Sequence, residues 1–80
     1  MNIAALGQEL RRMYEDGEKR NEKIAMIHLF AIKFSDEIKN QDGTINNTLE
    51  EILKYAELRP SYKVELNKGI NIAKYVRVIE

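Results

Sequence analysis

The amino-acid sequence predicts a mostly α domain of four helices with a small two-strand β remnant. Three observations lead there. The run Ile24-Ala25-Met26-Ile27-His28-Leu29-Phe30-Ala31-Ile32-Lys33-Phe34 is the densest apolar stretch of the chain, and Ile24, Ile27, Ala31, Phe34 and Ile38 recur at the three- and four-residue spacing of one helix face. Apolar residues return at helical spacing on either side of that run. Only the tail, Tyr75-Val76-Arg77-Val78-Ile79, has the β-branched character of a strand.

The 80 residues form one small domain over 1–80, and a chain of this size buries roughly 60–65% of the surface its unfolded form exposes. There is no cysteine, so neither disulfides nor thiolate metal sites can support it. Packing alone must supply a stability of roughly 5 kcal/mol. No signal peptide is recognisable, and the apolar run is too short for a membrane span, so a cytoplasmic protein is expected. The formal charge is zero, which argues against a strong nonspecific polyanion binder. The charge is unevenly spread, however. After position 58 stand Arg59, Lys63, Lys68, Lys74 and Arg77 against Glu65 and Glu80.

In chain order, Ile3, Leu6, Leu10, Met13 and Tyr14 give an amphipathic helix over 2–15 with Asn2 as its cap. Gly7 inside it is unfavourable unless close packing needs it. Asp16-Gly17 ends this helix, and 16–23 is a charged flexible connector. The central helix spans 22–40, apolar almost all round and therefore surrounded. After the turn at Gln41-Asp42-Gly43, Thr44-Ile45-Asn46 is a strand stub. Thr48-Leu49-Glu50-Glu51 reads as a capping box opening a helix over 49–57, with Leu49, Ile52, Leu53 and Ala56 as its buried stripe. Pro60 blocks continuation. Ser61 caps a fourth helix over 61–69, where Tyr62, Leu66 and Ile70 share a face and Gly69 ends the helix. The tail 75–79 pairs with the stub at 44–46, since a lone strand needs a partner.

The order helix 49–57, turn, helix 61–69 and closing strand resembles the helix-turn-helix and winged-helix superfamily. Ala56-Glu57-Leu58-Arg59-Pro60-Ser61 looks like the alanine, leucine, glycine, apolar, serine run of its turn, although Arg59 stands where glycine is usual and Pro60 where a small aliphatic is. The resemblance covers about 48–70, with 44–46 and 75–79 as wing strands. It implies a DNA-binding, transcription-regulatory module whose second helix enters the major groove of duplex DNA. Ser61, Tyr62, Lys63, Glu65, Asn67 and Lys68 would face the groove, Asn67 being the best reader of an adenine edge. Arg59, Lys74 and Arg77 would bind phosphate. Compact size and composition suggest a bacterial kind. Against this stands the plain reading that Lys63, Glu65 and Lys68 are a solvated helix face and that Tyr62 is core.

Other chemistry is thinly represented. His28 is the only histidine, and with scattered carboxylates it lacks the spacing of a zinc or acid–base site, so it reads as a hydrogen-bonded core or boundary residue. Asp36 and Glu37 point about 100° apart on a helix and cannot face one another. No catalytic residue, metal, cofactor or small-molecule ligand is expected. Met13, Tyr14, Met26 and Phe30 offer apolar surface for a homodimer, which would double the groove contacts through two-fold symmetry. The alternative function is a protein-interaction or accessory domain of the same fold without nucleic-acid binding, docking through an apolar patch near Met13, Met26 or Val64.

Overall fold

In the computed structural model, which describes residues 1–79, the Asn2 side chain accepts a 2.8 Å hydrogen bond from the Ala5 backbone and opens α1, Ile3–Lys19. An asparagine cap satisfies one of the amide groups a helix start leaves without partner. Leu6, Leu10, Met13 and Tyr14 form its buried stripe. The helix does not stop at Gly17. It runs on to Lys19 because Gly17 is buried at the crossing with α2, where a side chain would come within 2.8 Å of the Lys23 Cα. The predicted connector 16–23 shrinks to the three residues 20–22, with Asn21 in the left-handed region at φ 56°.

The predicted central helix is two segments, α2, Lys23–Lys33, and α3, Ser35–Lys39, separated at Phe34. Phe34 leaves ideal helical geometry at φ −107°, ψ 20°, and the bend brings α3 against α4 with Ser35 and Ile38 buried. The buried face of α2 is Met26, Ile27, Phe30 and Ala31, while Ile24 is exposed. Met13, Tyr14, Met26 and Phe30, the side chains expected to offer a dimer surface, all lie inside the chain's own core.

Residues 44–46 are not a strand. Thr44, not Thr48, is the cap: its hydroxyl accepts from the Asn47 backbone at 3.1 Å and opens α4, Ile45–Ala56. Thr48 sits buried within that helix, beside Leu49, Ile52, Leu53 and Ala56, as α4 packs on α1. No capping box forms. Gly7 marks this α1–α4 crossing, where a side chain would collide with the Tyr55 Cβ.

A 3-10 turn over Pro60–Tyr62 leads into α5, Lys63–Ile72. Gly69 does not end α5; it lies buried inside it, where a Cβ would stand 2.5 Å from the Ala31 Cβ and 2.8 Å from the His28 carbonyl oxygen. That close approach lets α5 lie against α2. The tail continues as turns, Tyr75 and Val76 both donating to the Ile72 carbonyl, and no strand occurs among the described residues. With 45–47 drawn into α4, the tail has no neighbour to pair with, so neither the two-strand remnant nor a wing exists there. The helices pack chiefly as α1 on α2, α1 on α4 and α2 on α5, whereas α4 and α5 touch only lightly.

Candidate nucleic-acid interface

The turn between α4 and α5 is built on Glu57. It adopts the left-handed conformation at φ 57°, ψ 40°, the Leu58 amide donates to the Leu53 carbonyl and the Glu57 amide to the Lys54 carbonyl. This is the Schellman arrangement, which closes the carbonyl groups left open at a helix end, and Leu58 folds back onto the core beside it. The residue in the conformation that favours glycine is therefore Glu57, two positions before the Arg59 of the expected turn pattern. Arg59 is extended, at φ −64° and ψ 142°, as the residue before a proline must be. Ser61 makes no capping hydrogen bond and is exposed within the 3-10 turn. Pro60, pre-set to the required φ, starts the turn instead.

The predicted DNA-facing residues divide into two groups. Tyr62 is half-buried and turned toward α1: its ring meets that of Tyr14 edge-on at 5.7 Å, and the two hydroxyls share a 3.3 Å hydrogen bond. That bond, followed by burial, pushes the Tyr14 hydroxyl up to about 12. Arg11 sits 5.9 Å from the Tyr14 ring centre and donates to the Ala56 carbonyl at the end of α4, so α1 grips both sides of the turn. Lys63 flanks α5 on its α4 side, its Nζ 2.9 Å from Glu50 Oε1. Glu65 flanks α5 on the α2 side and accepts a 2.7 Å hydrogen bond from His28 Nε2. The same bond is the main cause holding the Glu65 carboxyl below the usual carboxylate range. Lys68 lies 3.5 Å from the other oxygen of Glu65.

Leu66, Gly69 and Ile70 face inward. Opposite them, Val64, Asn67, Lys68 and Asn71 follow one another at the spacings of a single helix face, Val64 being 57% exposed. Among the described residues the Asn67 and Asn71 side chains have no hydrogen-bond partner, and Arg59, Lys74 and Arg77 have no ion-pair partner. Val64 and Asn71, which the sequence reading did not place on this face, complete it at the i, i+3, i+4, i+7 spacing around Asn67. His28, expected as a hydrogen-bonded core or boundary residue, is half-buried and bonded to Glu65, which ties α5 to α2.

A family model described as an HTH-like domain matches residues 2–79. The chain belongs to that family. No curated protein or solved structure matches the chain. In this HTH-like domain, α4 and α5 are joined by the Glu57 turn, and α1 and α2 pack behind them. A concavity of about 400 Å³ lies between the tail and the α2–α3 bend. It is lined by charges of both signs, Lys33, Asp36, Glu37, Lys39 and Arg77, and gathers no single chemistry. Among the described residues no group of histidine and carboxylate side chains is placed to hold a metal, and no helix is long and apolar enough to cross a membrane.

Proposed function

We propose that this HTH-like domain binds duplex DNA by laying the outward face of α5 in the major groove. One observation carries the reading: that face holds Val64, Asn67, Lys68 and Asn71 and no carboxylate, because the single acidic residue of α5, Glu65, is drawn back onto His28. A recognition helix is repelled by phosphate when carboxylates face outward, and here the one carboxylate is turned aside onto His28 and paired with Lys68, which weakens that repulsion. Arg59 before the helix and Lys74 and Arg77 after it stand where phosphates flank a groove-bound helix, and Lys63 joins them on exchanging Glu50 for a phosphate. Tyr62 supports α5 through Tyr14 and does not touch bases. Ser61 reaches the backbone from the turn.

Fluorescence anisotropy with random-sequence duplex DNA at low salt tests this. Binding that weakens steeply as salt rises is expected. A folded protein with no measurable binding overturns the reading. Replacing Lys68 and Lys74 by glutamate should abolish binding and leave the helical spectrum intact.

A second reading has its own observation. Ile72, Tyr75, Val76 and Ile79 expose apolar surface beyond α5, which favours a protein partner or a second copy of the chain at that end. Sedimentation across a concentration series distinguishes a homodimer from a monomer, and the two readings are compatible if the tail assembles the pair.

A further inference from the structure

We infer that α5 reads A·T base pairs, an inference that rests on the DNA-binding reading above. The helix presents two carboxamides one turn apart on the same face, Asn71 exposed and Asn67 half-buried. Among the described residues neither side chain has a hydrogen-bond partner. A carboxamide offers a donor and an acceptor side by side, the complement of the N7 acceptor and N6 donor of adenine in the major groove. Val64 lies on the same face, 57% exposed, and supplies the apolar contact that the thymine methyl group takes. Guanine asks for something else: two acceptors, best gripped by the planar fork of arginine. There is no arginine between Lys63 and Ile72.

The charged residues of α5 do not restore a strong guanine contact. Lys63 is turned to the flank, 2.9 Å from Glu50, where it can reach a phosphate and not a base edge. Lys68, on the same exposed face, is the one α5 side chain able to approach a guanine, but it offers a point charge without the fork and shares that charge with Glu65 at 3.5 Å, so the contact is the weaker one. Glu65, which could accept from cytosine, faces His28. Hydrogen-bonding groups left without partners on a helix face are cheap to expose to water, but they discriminate once water is displaced by a base edge. The face therefore favours adenine at two positions and a thymine methyl beside them.

The test is a competition between duplexes of equal length, one composed of A·T pairs and one of G·C pairs. Tighter binding to the A·T duplex is expected, and it should fall by about tenfold for each of Asn67→Ala and Asn71→Ala, while binding to the G·C duplex stays unchanged. Replacing adenine by 7-deazaadenine removes the major-groove acceptor and leaves the minor groove intact, so it should erase the preference. A preference that survives both the variants and the deaza duplex comes from DNA shape and overturns this inference. Equal binding to both duplexes, or tighter binding to G·C, overturns it while leaving DNA binding in place. Absence of binding to every duplex overturns the DNA reading and this inference together.

Discussion

Two helix pairs in this chain turn in the same way and are held in different ways. The α1–α2 and α4–α5 connections each pivot on a left-handed residue, Asn21 and Glu57. Each closes the same pair of backbone hydrogen bonds, Glu22 to Gly17 and Asn21 to Glu18 in the first, Leu58 to Leu53 and Glu57 to Lys54 in the second. Beyond the turn, α1 and α2 pack extensively, whereas α4 and α5 barely meet and α5 lies on α2 instead. A shared turn geometry thus delivers the second helix without deciding where it rests. For α5 the decision belongs to the Gly69–Ala31 approach and the His28–Glu65 hydrogen bond.

The largest effect should come from the helix both pairs share. Phe30, fully buried on α2, should cost about 3–5 kcal/mol when replaced by alanine, close to the whole stability of a chain this size. Denaturant titration of Phe30→Ala should find it unfolded or nearly so; a midpoint like that of the parent would remove α2 from the centre of the fold. Next comes Gly69→Ala. Alanine is the better helix former by about 1 kcal/mol, yet the new methyl group would meet the Ala31 Cβ and the His28 carbonyl. A net loss of about 1–3 kcal/mol is expected. Thermal unfolding at or above the parent temperature would show that α5 is not seated on α2.

Substitution at the turns sharpens the contrast in the opposite direction. Glutamate in the left-handed region is strained by about 1 kcal/mol, and asparagine by less. Glu57→Gly should therefore stabilise by about 1 kcal/mol and Asn21→Gly by a few tenths, compared by chemical denaturation. Equal gains would mean that the two turns are strained alike. The smallest effect is one of pH. The Tyr14 hydroxyl is raised from an ordinary value of 10.0 to about 12 by its bond to Tyr62. A group whose folded value is raised contributes stability in full below its unfolded value and loses it as pH climbs through the folded one. Stability should accordingly fall between pH 10 and 12, and Tyr14→Phe should flatten that part of the profile.

The helical class was legible because Leu6, Leu10, Leu49, Ile52 and Leu53 repeat at helix spacing and are all buried. The start of α4 was not, for a local reason. Two threonines four residues apart can each cap, the weak helix formers Asn46 and Asn47 disguise the first turn, and Ile45 is exposed, so it adds nothing to the buried stripe that begins at Thr48 and Leu49. Packing decided for Thr44. The tail misled in the reverse sense: β-branched residues suit a strand, but a strand exists only beside another. At the candidate interface, Asn67 and the basic residues were visible in the sequence, while the side chains that shape their surroundings were not. His28 and Glu65 lie on different helices and meet only through the α2–α5 packing, as Glu50 and Lys63 meet across α4 and α5. Glu57 carries no glycine to advertise its backbone.

The crossing at Gly17 has a reach beyond its own neighbourhood. α4 is fastened to α1 and α5 to α2, so the angle between α4 and α5 copies the angle between the two pillars behind them. Enlarging Gly17, where Met26 and Lys23 press against the α1 backbone, would splay the pillars. α5 would be re-aimed by a change that touches neither that helix nor the turn before it.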